Sequence, residues 1–315
     1  MTQRRPGPRP AVVGTCSLST RGLRDPQQLL DNGRAMVEEM VRQAGQQGWS
    51  LDLAVLPETF ADVETVPAAQ AAQALDGPIV RAMAAVARAH RAYVVAPLRL
   101  RLDGRVHNSA VLLDRAGEPL GVYHKARPVV LPDGTLEGGT TPGTCFPVFD
   151  LDFGHLGVQI CFDVCYDEGW EALAAQEAEL VVFPTAAPTV SALVGFGWRY
   201  GYYIVASALR PPSLIVDPLG CPVARAEADR QATVVRVDLD YRVLPSRFIW
   251  TRGPEVRQRY GERLDFGWHD AEGACLLTSR DPELPIGRLV EQEGLETMRQ
   301  FLERNRQAQE EARGR

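Results

Sequence analysis

Long apolar runs and basic clusters are both missing from this chain. No stretch approaches the ~20 consecutive apolar residues of a membrane-spanning helix, so we expect no membrane partner. The net charge is -6, and no basic run is long enough to form a phosphate-binding stripe, which argues against nucleic acid as a partner. Residues 1–10 carry three arginines among prolines with no apolar core behind them. That composition predicts a disordered tail on a cytoplasmic protein rather than a secretory signal.

The chain also lacks a disulfide framework and a complete set of zinc ligands. Six cysteines are scattered over 315 residues, and without an export signal we expect them to be reduced. Cys161 and Cys165 lie close together with His155 nearby, but no second Cys or His pair supplies four ligands. We therefore expect no metal and no cofactor. No repeat of 20–50 residues is visible, and the 45% hydrophobic content can fill one large domain or two small ones.

Strand-like and helical segments alternate along the chain. Apolar residues recur at helical spacing in two early segments and fit a third helix later, whereas short apolar runs bounded by turn residues predict strands. The predicted helices are 25–47, 79–90 and 170–178, and the predicted strands are 11–16, 53–56, 93–98, 109–113, 120–124, 146–153, 155–160, 180–183, 203–208, 213–216 and 232–239. This order predicts an α/β layered domain.

Three of the apolar runs end on an ionisable residue. Glu58 follows Leu56-Pro57, Lys125 follows Tyr123-His124, and Cys161 follows residues 157–160. Taken singly, the glutamate fits a turn cap, the lysine an exposed strand end and the cysteine a core position. A carboxylate, an ammonium and a thiol brought together at three strand ends would instead form a covalent hydrolase site.

The order and local contexts of Glu58, Lys125 and Cys161 resemble the Glu-Lys-Cys triad of the nitrilase (carbon–nitrogen hydrolase) superfamily, in its amidase-like branch. Leu136-Glu137-Gly138 resembles the loop that carries the family's second glutamate, and residues 179–185 and 213–220 resemble its strand after the nucleophile and its late hairpin. The resemblance runs from about Val12 to Arg247. It implies the family's four-layer α-β-β-α sandwich over residues 11–250, with residues 251–315 as a C-terminal extension.

The resemblance also implies a role for each site residue. Cys161 would be the nucleophile that forms a thioester, and Glu58 the general base. Lys125 and the Phe162 N–H would stabilise the oxyanion, while Glu137 would orient Lys125 or bind the amine side of the substrate. We expect Lys125 and the N–H groups of the turn to favour the Cys161 thiolate. The additional polar residues His124, His155 and Asp163 are expected to be structural.

The substrate is left open by a departure from the family pattern. Where relatives commonly read Arg-Ala-x-Glu-Asn, this chain reads Trp198-Arg199-Tyr200-Gly201-Tyr202, and Trp198 becomes a candidate substrate contact. The expected activity is hydrolysis of a small-molecule linear amide or N-carbamoyl amine. The alternatives are a nitrilase, an acyltransferase that uses an amine acceptor, and a non-catalytic binding protein with the same fold.

The last predicted element is a charge-rich helix over residues 291–315. Its one possible apolar face consists of Leu295, Met298, Phe301 and Leu302. Such a helix is either solvated or packed against a partner subunit. Together with the habit of the resembled family, this face favours a homodimer or a larger homo-oligomer.

Overall fold

The computed structural model describes residues 7–269 and 273–314 of the chain. It divides into two compact units, one formed by Ala11–Val237 and the other by residues 1–10 together with 238–315. The second unit therefore begins ahead of residue 251, where we expected the extension to start. Of the predicted disordered tail, residues 1–6 lie outside the described residues, and Arg9 donates from its backbone N–H to Asp238.

The first unit contains twelve strands and five helices among its described residues. The strands are β1 Pro10–Ser17, β2 Leu53–Val55, β3 Tyr93–Leu102, β4 Arg105–Leu113, β5 Pro119–His124, β6 Val148–Asp150, β7 His155–Val158, β8 Leu180–Thr185, β9 Tyr203–Ala208, β10 Ser213–Val216, β11 Pro222–Ala226 and β12 Gln231–Asp238. The helices are α1 Pro26–Gln46, α2 Ala68–Ala71, α3 Pro78–His90, α4 Asp167–Ala175 and α5 Val190–Tyr200.

The strands form one connected sheet with two wings. Its order is β5-β4-β3-β2-β1-β9-β8-β7-β6, with β10 on β9, β11 on β10 and β12 on β1. The wings meet where Ser17 of β1 pairs with Ala208 of β9. Strands β3, β8 and β9 are buried over most of their length, as expected for strands whose two faces are both covered.

Each wing is covered by its own pair of helices. The apolar faces of α1 and α3 pack on β1–β4 through residues such as Met40 and Met83. Helices α4 and α5 pack on β8–β10 through Trp170 and Phe196, whose rings stack at 4.4 Å. The predicted α/β class is thus confirmed. Helix α5 was absent from the sequence-based prediction because its glycines and aromatic residues obscure the helical period.

The second unit has its own sheet and core. Strands β13 Tyr241–Pro245, β15 Ala274–Ser279 and β14 Leu264–His269 pair antiparallel in that order. Its helices are α6 Ser246–Thr251, α7 Gly253–Tyr260, α8 Ile286–Gln292 and α9 Met298–Arg313. Leu244, Ile286 and Leu289 are among its fully buried residues.

The single helix predicted over residues 291–315 is wrong. Helix α8 ends at Gln292, and Gly294 just beyond it adopts a left-handed φ of 60°. Thr297 then caps the start of α9 by accepting a hydrogen bond from the Gln300 N–H. Leu295 therefore lies in the connection and is buried in the core of the second unit, whereas Leu302 is 50% exposed on α9. Across the described ranges 7–269 and 273–314, no helix is long and apolar enough to cross a membrane.

Candidate active site

Sheet topology brings the three predicted site residues to one edge. Strands β2, β1, β9, β8 and β7 are mutually parallel along the sheet, and β5 runs in the same direction because β3, β4 and β5 alternate. The carboxyl ends of β2, β5 and β7 therefore lie at the same edge. Glu58, Lys125 and Cys161 follow these three ends, which is the position where α/β sheets present reactive side chains.

A buried ammonium lies between two carboxylates at this edge. Lys125 Nζ donates to Glu58 Oε1 at 2.9 Å and to Glu137 Oε1 at 2.5 Å. The Lys125 side chain is 2% exposed, so the charge is removed almost completely from water. Burial opposes that charge, but Glu58, Cys161 and Glu137 together raise the pKa of Lys125 above its usual value.

Lys125 is also the only lysine in the sequence; every other cationic side chain of the Lys/Arg type is an arginine. An ammonium is a compact point charge that rotates freely, whereas a guanidinium is a rigid plane. An arginine at this position would present a rigid plane instead of a point charge to the two carboxylates. This is a sequence signal for Lys125 that motif comparison does not use.

Glu137 is held as a permanent anion. Burial alone would raise its pKa, but the Lys125 ammonium, hydrogen bonds from Lys125 and Asn108, and the charge of Arg99 lower the pKa to about 2. Its backbone has a left-handed φ of 45°, a strained conformation for a residue with a side chain. The Glu137 N–H donates to the Val129 carbonyl at 2.9 Å and the Val129 N–H donates back to Glu137 Oε1 at 3.1 Å, which anchors the strained loop.

Cys161 occupies the first position of a 3₁₀ turn, Cys161–Cys165, with a left-handed φ of 45°. Burial and the negative charge of Glu58 raise the pKa of the thiol to about 12, despite opposing effects from Lys125, the Ala186 backbone and the Thr185 side chain. Lys125 thus lowers the pKa of the thiol as expected, but burial and Glu58 outweigh that effect and favour the neutral thiol. A neutral thiol must lose its proton before the sulfur can attack.

A buried carboxylate connects the nucleophile turn to the strand end that carries the lysine. Asp163 accepts from the Ile160 N–H at 2.8 Å, from the Arg127 N–H at 2.8 Å and from the Tyr123 hydroxyl at 2.8 Å. Burial raises the pKa of Asp163 to about 6. These bonds link residues on both sides of Lys125 to the residue preceding Cys161, and they support the structural role expected for Asp163.

Two residues of the cluster were missed by sequence reasoning. Asn108 on β4 donates to Glu58 Oε1 at 2.7 Å and to Glu137 Oε2 at 3.0 Å, and Arg99 on β3 donates to Glu137 Oε2 at 2.9 Å. Arg99 and Asn108 are direct cross-strand partners. Arg99 Nε also lies 3.6 Å from Asp62 Oδ2. Burial raises the pKa of Asp62 to about 7. The available signal was the polar run His107-Asn108-Ser109 inside an apolar strand.

The remaining predicted residues lie around this cluster. Phe162 is in the nucleophile turn, where its N–H has no acceptor within the turn, and its ring packs edge-on against Tyr166 at 5.9 Å. The His124 ring shares a hydrogen bond with the Ser109 hydroxyl and packs against His107 with the two rings tilted by 34°. Burial lowers the pKa of His124 to about 4. Trp198 lies on α5 beside the Gly220 turn with 51% of its surface exposed, outside the hydrogen-bonded cluster.

The sheet thus presents a buried lysine between two glutamates, with a thiol at the same edge. The family model described as "Carbon-nitrogen hydrolase" matches residues 11–244. The chain therefore belongs to the carbon–nitrogen hydrolase family, as the sequence motifs predicted.

Individual relatives are similar over shorter stretches. A protein described as a hydrolase in the pqqF 5' region, from Pseudomonas protegens, is 32% identical over 47% of this chain and 53% of its own length. A citrullinase from Francisella tularensis is 30% identical over 35% of this chain and 39% of its own length. This chain thus spans about half or less of the relatives it matches. A carbon–nitrogen hydrolase structure from Helicobacter pylori superposes with a TM-score of 0.62 at 19% identity, covering 80% of this chain and 93% of that one.

Proposed function

We propose that this protein hydrolyses the C–N bond of a linear amide or an N-carbamoyl amine through a thioester on Cys161. The observation that carries the proposal is the buried Glu58–Lys125–Glu137 cluster, which acts electrostatically on the Cys161 sulfur. Burying an ammonium and two carboxylates is costly unless the groups are fully paired. A cluster of this kind beside a thiol in a strained turn is typical of a catalytic site.

Acylation begins with the neutral thiol. Glu58 takes the proton from Cys161 as the sulfur attacks the carbonyl carbon, so a C–S bond forms and the carbonyl oxygen becomes an oxyanion. Lys125 and the Phe162 N–H stabilise that oxyanion, and one such donor typically lowers the barrier by ~3 kcal/mol. Glu58 then gives its proton to the nitrogen, the C–N bond breaks, and the amine or ammonia leaves.

Deacylation uses the same groups in the same order. Glu58 removes a proton from water, which attacks the thioester carbonyl, and the C–S bond breaks to return the thiol with the proton from Glu58. Glu137 never needs to change protonation in this cycle. With a pKa near 2 it stays ionised and keeps Lys125 charged and oriented while Glu58 cycles.

The substrate class is supported by the relatives. The Francisella tularensis protein is named a citrullinase, and further relatives carry amidase, N-carbamoylputrescine amidase and nitrilase names. Citrulline and N-carbamoyl amines both contain a ureido group, in which a carbonyl carbon is bonded to two nitrogens. We therefore place ureido compounds and primary amides ahead of nitriles. We also propose a homo-oligomer, on the half-exposed Leu302 of α9.

A substrate panel tests the proposal directly. Wild type and Cys161→Ala are incubated with primary amides, N-carbamoyl amines and nitriles, and ammonia release is measured. We expect release from at least one amide or carbamoyl compound by wild type and none by the variant. Cys165→Ala is the matched control, because Cys165 lies at the other end of the same turn and is exposed. Equal ammonia release by wild type and Cys161→Ala would overturn the proposal.

A further inference from the structure

Asn108 binds both carboxylates of the cluster and the backbone of Lys125. Its side-chain Nδ2 donates to Glu58 Oε1 at 2.7 Å and to Glu137 Oε2 at 3.0 Å, and its backbone carbonyl accepts the Lys125 backbone N–H at 2.8 Å. The residue is 1% exposed. One residue thus holds both carboxylates through its side-chain amide, and the lysine between them through a backbone hydrogen bond.

The donors are distributed unevenly over the four carboxylate oxygens. Glu137 is saturated, since Oε1 accepts from Lys125 and Val129 and Oε2 accepts from Arg99 and Asn108. On Glu58, both donors, Lys125 and Asn108, bind Oε1. Within residues 7–269 and 273–314, no hydrogen bond reaches Glu58 Oε2. One oxygen of the two glutamates is therefore left to receive a proton.

We propose that Asn108 is a positioning residue that directs Glu58 Oε2 to carry the proton between Cys161 and the leaving nitrogen. This inference rests on the proposed hydrolysis and assigns an oxygen within it. By occupying Oε1 together with Lys125, Asn108 fixes the rotation of the Glu58 carboxylate. The proton leaves the Cys161 sulfur, binds Oε2, and passes to nitrogen, while both bonds at Oε1 are kept.

The chemistry of the site explains why an asparagine stands here. Two carboxylates require two donors from a neutral group, because an additional positive charge would hold Glu58 ionised and weaken it as a base. Aspartate has almost the same shape but no donor when ionised, and would add a third negative charge. The orientation of the amide is fixed by the same argument, since a reversed amide would place Oδ1 against both carboxylates.

The test separates hydrogen-bond donation from shape. Asn108→Ala, Asn108→Asp and Asn108→Ser are compared with Ser109→Ala, a control that alters the next residue of β4, whose hydroxyl contacts His124 instead of a carboxylate. The first readout is the rate at which iodoacetamide alkylates Cys161, followed by mass spectrometry of the Cys161 peptide. The second is kcat and KM on the best substrate of the panel, with melting temperature as a check on folding.

We expect Asn108→Ala to lower the alkylation rate and kcat at least about 10-fold with KM changed less than about 3-fold, as is typical for lost general-base assistance. Asn108→Asp should be slower than Asn108→Ala, and Asn108→Ser, which keeps one donor, should lie between Asn108→Ala and wild type. Ser109→Ala should stay within about 3-fold of wild type. A purely structural role predicts the reverse order, with the isosteric Asp variant the most active.

The result that overturns the inference is an Asn108→Asp enzyme near the wild-type alkylation rate, or an Asn108→Ala enzyme that matches Ser109→Ala. If Asn108→Asp fails to fold, the order of the Ala and Ser variants against wild type decides the same question. The alkylation readout needs no substrate. If wild type hydrolyses nothing in the panel while the alkylation order holds, the proposed function fails but the orientation of Glu58 by Asn108 stands.

Discussion

Replacing Lys125 with methionine removes the one positive charge that two buried carboxylates share. Glu58 and Glu137 lie 2.9 and 2.5 Å from Nζ, and their side chains are only 7% and 9% exposed. Methionine matches the apolar stem of lysine and lacks only the terminal ammonium, so the change is mainly one of charge. Removing one partner of a buried ion pair typically costs about 3–5 kcal/mol of unfolding free energy, and we expect Lys125→Met to fall in that range at pH 8.

The cost should depend on pH, and the sign follows from proton binding. Without Lys125, the two carboxylates are left with Arg99 and hold a proton in the folded variant that the unfolded chain has released above about pH 4.3. The folded variant then binds more protons than its unfolded state. Its stability relative to wild type therefore falls as pH rises, by at most about 1.4 kcal/mol per pH unit over that range.

Urea unfolding of wild type and Lys125→Met at pH 5 and pH 8 measures this effect. The matched control is Arg199→Met, which removes an exposed ion pair with Asp167 and should cost less than about 1 kcal/mol at both pH values. A Lys125→Met loss below about 1 kcal/mol, or a loss that is equal at pH 5 and pH 8, would refute the reasoning that this ammonium neutralises two buried anions.

Three further predictions concern charge and assembly. Because Lys125 is the only lysine, protein labelled with ¹⁵N at lysine Nζ should give one ammonium signal. That signal should not titrate up to pH 10, since Glu58, Cys161 and Glu137 raise the pKa of Lys125, and titration below pH 10 would contradict this. Burial raises the pKa of Asp62 to about 7, so wild type loses unfolding free energy as pH rises from about 4 to 7. Asp62→Asn should therefore gain stability relative to wild type over that range. A difference in unfolding free energy that stays constant with pH, measured in urea, would count against it. Leu302, half exposed on α9, should contribute to a homo-oligomer contact, so light scattering should show a smaller assembly for Leu302→Arg than for wild type, while an unchanged monomer for both would dismiss the contact.

Residue order and strand periodicity were sufficient to predict the α/β class and the family. Glu58, Lys125 and Cys161 follow apolar runs that are evident in the sequence, and parallel topology brings the ends of such strands together. The contacts of Asn108 and Arg99 depend on the β3–β4 register, in which the two residues face each other. No local pattern encodes that register, so these residues could be found only once the strands were paired.

The error at the C-terminus and the protonation of the thiol have a different origin. Charged residues and a helical period run through 291–313, but Gly294 and the cap at Thr297 interrupt them, and local interruptions of this kind are weak signals in a periodic segment. The sequence also places Cys161 beside a cation and turn N–H groups without revealing its burial. Desolvation outweighs the expected effect of Lys125 on the thiol.

Trapping the acyl-enzyme tests the central claim most directly. Glu58→Gln keeps the shape of the base but removes its proton acceptor, so both steps slow, typically by ~10²-fold, and an acyl group once transferred should persist. Glu58→Gln incubated with the best amide or carbamoyl substrate should gain the mass of the acyl group, located on the Cys161 peptide, and the double variant Glu58→Gln with Cys161→Ala should gain none. An adduct on another residue, or turnover by Cys161→Ala at the wild-type rate, would contradict a thioester mechanism at Cys161.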